Sequence, residues 1–540
     1  MIIGANLPAY LGHFMSFTSY EFIAFLIAIF LLYYIIPKKF QWILLLIGSY
    51  VFYAFAGIDF LLYILATTLT TWFAATRITK IQDERNEYFA AHKADMDREA
   101  KKSYKADTKK KTRVWFLSCL LLNLGILAVI KYSDFVVNDI FGADDAFFQF
   151  AVPLGISYYT FKSMGYLIDV NRGKTKAQSN PAKFALFVSF FPQVIQGPIS
   201  RYDKLSQTLY AEHSYDKVAV RKGLVRVLWG FAKKLIIADR LVPIVKELAG
   251  SPGQYQGAFV LFLILLYAIQ LYADFTGGID IAIGIGEMFG IESEENFITP
   301  YFSKNINEYW TRWHITMGTW FKDYIFYPIS VSKWMLNLSK TSREKLGKGV
   351  GKRVPVYLAN IIVWFATGLW HGAAWNFIVW GMLNCVVTVA SYEMEPLYEK
   401  FHNKCTWASG IGYDIWQMFR TFWIMGAIRI LDVYRDVPVS FTQLGSIFTS
   451  GGWSRLFSSE IFGLGITGLD FIVVIIGCAL MLFVSIVFYR TGNKKRFRDY
   501  LSEKHIVLQS AVIIALLVAI IIFGAYGVGY DSSQFIYNQF

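Results

Sequence analysis

The sequence predicts an all-α, polytopic membrane protein, and three observations support this fold class. Hydrophobic residues make up 55% of the 540 residues. Charged residues make up only 17%, against roughly 25% in an average soluble domain. Leu, Ile and Phe occur in blocks of about 15 to 22 residues, and about 20 helical residues are enough to cross a hydrocarbon core of ~30 Å. The number of these blocks predicts about ten or more transmembrane helices.

The blocks can be assigned in order along the chain. Near the N-terminus, which lacks the basic region and cleavage site of a signal peptide, three spans and then a fourth are expected, followed by an irregular middle third and three late spans. The expected spans are 21–36, 42–56, 58–76, 114–130, 415–432, 467–489 and 506–526. We treat 1–540 as a single integral membrane domain, with N-terminal helices in 1–146, a catalytic core in 147–395 and C-terminal helices in 396–540.

The net charge of +13 predicts orientation rather than nucleic-acid binding. Lys and Arg are concentrated between the apolar blocks, where they set topology through the positive-inside bias. The basic segments 77–113, 331–353 and 490–504 are therefore expected to be cytoplasmic, with 77–113 as a loop. The acidic turn 132–146, which includes Asp144 and Asp145, and the segment 433–466 are expected outside.

The middle third contains polar and glycine-rich stretches, Ser189–Arg201 and Ala273–Gly290. Lipid cannot satisfy irregular backbone, so such segments exist at membrane depth only where they are enclosed by protein or face a wet cavity. We therefore expect re-entrant segments around a central chamber. Phe190–Pro198 is predicted to be a broken element. Its Gln193 and Gln196 are candidates to line a polar path, although a purely structural kink is the alternative that we favour.

The sequence has no metal-ligand spacing among its four cysteines and no nucleotide-binding or hydrolase motif. This leaves acid–base chemistry by histidine. His371 lies at the glycine-flanked midpoint of an apolar region, 354–390, that is too long for one crossing. An ionisable residue in the membrane is a functional candidate by default. A hydrogen-bonded histidine at a helix contact is the alternative.

His314 is predicted to lie on one amphipathic helix. At helical spacing, Trp310, Trp313, His314, Met317, Phe321 and Tyr324 share a broad face, opposite a polar stripe of Arg312, Thr316, Thr319 and Asp323. Glu308 and Arg312 form an i,i+4 pair. Such a helix suits either the wall of a chamber or the membrane interface.

A third polar group contains Asp274 and Asp280, six residues apart near the end of an apolar helix. These carboxylates could hold cations or orient basic groups. We favour structural ion pairs with Arg312 or Arg240.

These stretches resemble the membrane-bound O-acyltransferase family, in particular the bacterial branch of the alginate O-acetyltransferase membrane subunit. The resemblance covers nearly the whole chain. It is carried by Pro153–Phe161, Phe190–Arg201, Asp274–Gly284, Asn296–Tyr301, Tyr309–Pro328, Gly368–Gly381 and the ending Tyr526–Tyr537. Thr311, Met317 and Gly278 depart from the usual pattern, which leaves the acceptor open.

The resemblance implies a ring of helices around a thin central body, with His371 as the catalytic histidine and His314 as the second functional position. Trp370, Trp313, Arg312, Asp323, Asp274 and Gln196 are supporting candidates. It also implies acetyl-CoA as the donor and no metal. The acceptor would be an extracytoplasmic polysaccharide, reached through a partner acetyltransferase with a serine nucleophile of the SGNH type. The protein would lie in the bacterial cytoplasmic membrane.

Two alternatives stay open. The first is D-alanyl or other acyl transfer to a cell-wall polymer. The second is a transporter or export channel without chemistry, although the sequence shows no paired half-repeats of the transporter kind.

Overall fold

The computed structural model describes residues 15–92, 96–142 and 151–526. These residues are mainly helical, and they form two compact units, 1–220 with 285–293 and 221–284 with 294–540. The predicted turn residues Asp144 and Asp145 and the C-terminal motif beyond Tyr526 lie outside the described residues.

The membrane assignment is confirmed. Seven helices in the described ranges are long and apolar enough to cross a membrane, and a shorter apolar helix spans Tyr20–Ile35. The seven are Phe60–Ala91, Arg98–Ile140, Ala258–Met288, Val354–His371, Trp375–Lys404, Gly468–Arg490 and Ile506–Phe523. The chain is a multi-pass membrane protein.

The first unit contains seven helices within its described residues. They are α1 (Tyr20–Ile35), α2 (Gln41–Ala54), α3 (Phe60–Ala91), α4 (Arg98–Asp134), α5 (Ile156–Asn171), α6 (Pro181–Ser189) and α7 (Tyr202–Leu209). Local sequence fixes their starts. The Ser19 side chain accepts from the Phe22 amide at the start of α1, and Asn180 caps α6 just before Pro181. Proline is tolerated at this first helical position, because an N–H there would have no partner within the helix.

The predicted cytoplasmic loop 77–113 is largely helical. Helix α3 continues to Ala91 and α4 begins at Arg98, because Lys, Arg, Glu and Gln are good helix formers and extend the apolar spans beyond the bilayer. The predicted break at Phe190–Pro198 is confirmed, since residues 191–196 form consecutive turns in which every side chain is buried. That this segment is re-entrant stays a prediction.

The remaining helices lie in the second unit, apart from the ends of two of them. They are α8 (Lys217–Phe231), α9 (Asp239–Gly250), α10 (Ala258–Met288), α11 (Ile306–Arg312), α12 (Ile315–Phe321), α13 (Tyr327–Ser330), α14 (Lys333–Gly351), α15 (Val354–His371), α16 (Trp375–Lys404), α17 (Ile411–Tyr434), α18 (Val437–Thr449), α19 (Trp453–Leu456), α20 (Gly468–Arg490), α21 (Phe497–Ser502) and α22 (Ile506–Phe523). Residues 217–220 of α8 and 285–288 of α10 are assigned to the first unit. π-Helical turns at Ala232–Ala238 and Lys322–Phe326 join α8 to α9 and α12 to α13.

Ala273–Gly290 is not re-entrant, which corrects the sequence prediction. Residues 258–288 form one continuous helix, α10. The glycines serve helix packing instead. A Cβ on Gly277 would lie 2.9 Å from the carbonyl oxygen of Gly230, and a Cβ on Gly284 would lie 2.8 Å from that of Gly223. Small residues therefore let the backbones of α8 and α10 approach closely, as is common between membrane helices.

Asp274 and Asp280 form buried ion pairs, as expected, but not with Arg312 or Arg240. Asp274 pairs with Lys234 at 2.6 Å, and Asp280 pairs with Lys233 at 2.7 Å and with Arg226 at 2.8 Å. The basic partners lie on α8 and the π turn after it, which packs beside α10. Arg312 instead pairs with Glu308, as the i,i+4 spacing predicts.

Candidate active site

His371 is the last residue of α15, and α16 starts four residues later. This break confirms that the apolar region 354–390 is not one span. Glycines allow the two helices to pack as a tight hairpin. A Cβ on Gly368 would lie 2.4 Å from the Phe377 carbonyl oxygen, and one on Gly381 would lie 2.4 Å from that of Trp364. The glycines around His371 therefore position its ring by close helix contact.

The His371 ring lies among indole rings. Its centroid is 5.0 Å from that of Trp370 and 4.8 Å from that of Trp380, both edge-on. His371 is half-buried, and it lines a small chamber of about 20 Å³. The other lining residues are Leu271, Phe275, Trp310, Trp313, Met317, Trp380, Arg429 and Asp432. This volume holds about one water molecule.

His314 breaks the helix on which the sequence analysis placed it. Helix α11 ends at Arg312 and α12 begins at Ile315, with His314 between them in a left-handed conformation of φ 48° and ψ 51°. The continuous amphipathic face from Trp310 to Tyr324 is therefore wrong. Helical periodicity missed the break because nothing at position 314 signals it, and a non-glycine residue with positive φ is uncommon.

Tertiary contacts hold this break in place. Phe297 and Trp313 form an isolated antiparallel bridge, and the Ile315 amide donates to the Asn296 carbonyl oxygen at 3.0 Å. The buried Asn296 side chain accepts from the Thr316 amide and hydroxyl at 3.0 and 2.9 Å. Thr316, predicted to lie on an outward polar stripe, is thus buried.

The Asn296 side chain also sets the tautomer of His314. Because the Thr316 amide can only donate, the Asn296 atom that faces it is the amide oxygen Oδ1. His314 Nδ1 lies 3.2 Å from that oxygen and therefore donates its proton, which leaves Nε2 as an acceptor. His314 is fully buried, and burial lowers its pKa to about 3. The ring is neutral at physiological pH.

Arg429 and Asp432 were missed by the sequence analysis. Both lie on α17 and line the chamber with His371. Arg429 is 5% exposed. Its guanidinium lies 4.2 Å from the centroid of the Trp313 ring and donates to the Tyr309 hydroxyl at 2.8 Å. Two ionisable residues near the end of a predicted span were the available signal.

A hydrogen bond joins helix α17 to the α15–α16 hairpin near His371. The buried Asn376 side chain, at the start of α16, donates to the Leu431 carbonyl oxygen of α17 at 3.2 Å. The same turn of α17 carries Arg429 and Asp432. The hairpin and these two charged residues are therefore positioned together.

The remaining supporting candidates divide into two groups. Trp370 makes ring contacts with both His314, at 5.8 Å, and His371, and Trp313 lines the chamber. In the described part of the chain, Arg312, Asp323 and Asp274 are not among the chamber-lining residues. Gln196 is buried in the first unit, and its amide nitrogen has no hydrogen-bond partner within the described ranges.

Comparison with known proteins places the sequence in a family. The profile of the MBOAT, membrane-bound O-acyltransferase family matches residues 171–341, which include His314. A probable alginate O-acetylase AlgI of Pseudomonas syringae pv. tomato is 30% identical over 89% of this chain and 84% of its own length. The chain belongs to the membrane-bound O-acyltransferase family.

Two other relatives of this membrane-bound O-acyltransferase are informative. A probable alginate O-acetylase AlgI of Azotobacter vinelandii is 35% identical over 68% of this chain and 66% of its own length. A peptidoglycan O-acetyltransferase of Helicobacter pylori is 28% identical over 66% of each chain. The family transfers acyl groups to hydroxyls, so the chain is a membrane O-acyltransferase, and its class is the all-α, polytopic membrane fold that the sequence predicted.

Proposed function

We propose that the enzyme takes an acetyl group from cytoplasmic acetyl-CoA for the O-acetylation of an extracytoplasmic polysaccharide. The relatives named as alginate O-acetylases and as a peptidoglycan O-acetyltransferase support a glycan as the final acceptor. We further propose that a separate partner with a serine nucleophile carries the group to the glycan. The enzyme would act in the bacterial cytoplasmic membrane.

The observation that carries the proposal is the position of His371 in the chamber. In the proposed step, an imidazole nitrogen of His371 takes the proton of the acceptor hydroxyl while its oxygen attacks the thioester carbonyl. The carbon–sulfur bond then breaks, coenzyme A leaves as its thiolate, and the imidazolium ring returns its proton to that sulfur to give the thiol. A base of this kind contributes roughly 10²–10⁴-fold in rate.

The chamber also supplies donors for the oxyanion that forms during attack. The Nε–H groups of Arg429, Trp310 and Trp380 are buried and have no hydrogen-bond partner within the described ranges. Buried unsatisfied donors are uncommon in folded proteins and fit a site completed by substrate. His314, whose Nε2 can only accept, fits substrate orientation better than donation to the oxyanion.

The test is acetyl transfer in purified enzyme, followed as coenzyme A thiol release in the presence of a hydroxyl acceptor. His371→Gln keeps a polar side chain of similar size but no general base, and we expect its rate to fall at least 100-fold with unchanged thermal stability. Arg429→Met should lower the rate with little change in acetyl-CoA affinity, because the guanidinium acts on developing charge.

His402→Ala is the matched control, since His402 is exposed near the end of α16 and should leave the rate unchanged. Wild-type turnover in His371→Gln would refute the assignment. Turnover with a D-alanyl carrier protein but not with acetyl-CoA would support the D-alanyl alternative, and glycan passage that survives loss of both histidines would support an export channel.

A further inference from the structure

Two spaces of very different size lie on either side of one layer of aromatic side chains in the second unit. The smaller is the chamber beside His371, of about 20 Å³. The larger is a mainly apolar cavity of about 250 Å³ between α8, α10, α20 and α22. None of the described residues lines both spaces. What separates them therefore decides how much room the chamber offers.

The separating layer, which we name the aromatic partition, consists of the rings of Tyr272, Phe275, Phe297 and Trp313. Phe275 and Trp313 line the chamber, whereas Tyr272 and Phe297 line the cavity. The centroid of the Phe297 ring lies 4.8 Å from that of Phe275 and 5.0 Å from that of Trp313, both edge-on. The Tyr272 and Trp313 centroids are 6.2 Å apart. These are distances of rings in contact, so the partition closes the chamber towards the cavity.

The chamber offers a short acyl group one apolar surface. In the proposed reaction the carbonyl carbon of the donor lies next to His371, and its oxygen lies near the buried N–H donors of the chamber. The methyl group of an acetyl donor then packs against Leu271, Phe275 and Met317. A space of about 20 Å³ holds about one water molecule, and a methyl group is of similar size. Each further methylene would have to displace packed side chains, which is unfavourable.

We propose that the aromatic partition, with Phe275 as its chamber-side ring, restricts this enzyme to short acyl donors. The cavity behind it has the volume and the apolar walls to accept a longer acyl chain once the partition is removed. This inference rests on the proposed acetyl transfer and adds the residue that selects the acyl group. Phe275 acts by occupying space, and it takes no part in the proton transfer.

The experiment measures thiol release by the purified full-length enzyme from acetyl-, butanoyl- and octanoyl-CoA with the same hydroxyl acceptor. Wild type should use acetyl-CoA faster than butanoyl-CoA by about tenfold or more. Phe275→Ala should raise the butanoyl-to-acetyl ratio by about tenfold or more, because the chamber gains the space of a phenyl ring. The double variant Phe275→Ala, Phe297→Ala should join the chamber to the cavity and raise the octanoyl-to-acetyl ratio as well.

The ratio between donors distinguishes selectivity from damage to the site. The Phe275 ring also lies 4.9 Å from that of His314, and a displaced His314 would slow every donor alike without changing the ratio. Thermal unfolding shows whether each variant folds. Phe275→Leu is the milder change, and it should shift the butanoyl-to-acetyl ratio in the same direction even if Phe275→Ala does not fold.

Two further substitutions locate the effect. Val484 lines the cavity and not the chamber, so Val484→Phe added to the double variant should abolish the gain for octanoyl-CoA and keep the gain for butanoyl-CoA. Phe259→Ala is the matched control. It removes a buried phenyl ring from the same helix, α10, and in the described part of the chain Phe259 lines neither space. Its donor ratios should equal those of wild type.

Two results would overturn the proposal. One is wild-type turnover of octanoyl-CoA as fast as that of acetyl-CoA, since the partition would then exclude no chain. The other is an unchanged preference for acetyl-CoA in folded Phe275→Leu, Phe275→Ala and the double variant. Either result, with acetyl turnover retained, refutes the partition alone. Absence of thiol release from every donor in wild type would refute the proposed function, and this inference with it.

Discussion

At the scale of single residues, one hydrogen bond determines the tautomer of His314. Its Nδ1 proton is committed to the Asn296 oxygen, which the Thr316 amide and hydroxyl also engage. The imidazole therefore presents one nitrogen, as an acceptor, and its low pKa keeps it in that state. Asn296 therefore fixes which His314 nitrogen is available.

We expect His314 to make the protein less stable in mild acid. The folded pKa is about 3 and the unfolded value is near ~6.5, so below about pH 6 the unfolded state binds one more proton. The free energy of unfolding should then fall by about 1.4 kcal/mol for each pH unit. The stability is fully present above pH 6.5 and is lost as the pH falls towards 3.

Thermal unfolding midpoints of wild type and His314→Asn from pH 7.5 to 5.0 measure this effect. Asparagine tolerates the left-handed conformation and cannot titrate in this range. The variant should lose less stability than wild type on acidification. Parallel curves for the two proteins would contradict the assignment of a neutral buried ring.

The sequence was sufficient to find the two histidines, because each interrupts an apolar or aromatic stretch. An ionisable group in such a stretch is energetically costly and is therefore a functional candidate. It was not sufficient for Arg429 and Asp432, which no local motif marks and which matter only because α17 packs beside the α15–α16 hairpin. The partners of Asp274 and Asp280 were missed for the same reason, since Lys234 and Lys233 lie 40 and 47 residues from them in sequence and meet them through helix packing.

At the scale of elements, the α15–α16 hairpin depends on its glycines. Gly381→Ala would place a Cβ 2.4 Å from the Trp364 carbonyl oxygen, and the backbone cannot yield as a flexible side chain would. We expect a loss of about 1–3 kcal/mol in stability and a displaced His371. Thermal unfolding and coenzyme A release report the two effects.

Gly125→Ala in α4 is the control for that substitution. A Cβ there meets no atom within 4 Å, and alanine is the better helix former by about 1 kcal/mol. Its stability should be unchanged or slightly higher. A Gly381→Ala protein as stable as this control would show that the hairpin is not closely packed.

Helical periodicity predicted elements well where one face or the whole surface is apolar, as for α1, α20 and α22. It was wrong in two opposite ways elsewhere. It joined α11 and α12 across His314, where the break depends on hydrogen bonds to a distant loop. The glycines of α10 suggested an interruption, although they only allow α8 to approach.

At the scale of the whole molecule, the distribution of basic residues predicts which segments face the cytoplasm. We expect Ser458→Cys, between α18 and α20, to react with a membrane-impermeant maleimide on intact cells. Lys494→Cys, after α20, should react only after the membrane is opened. Both positions are exposed.

A background without the native cysteines at 119, 385, 405 and 478 makes the labelling specific. The reverse pattern would invert the predicted topology, and with it the side from which acetyl-CoA is expected to enter. Hydrophobic length alone was enough to predict a multi-pass protein. The division into two compact units was not predicted, since it depends on contacts that periodicity does not encode.

The left-handed backbone at His314 has a consequence for the stability of the fold. This conformation costs a residue with a β-carbon roughly 1–2 kcal/mol, and glycine avoids that cost. If stability of the fold were the only requirement, glycine would be the favoured residue at position 314. In the proposed reaction, where His314 orients the substrate, the strain at this position is a stability cost of the site.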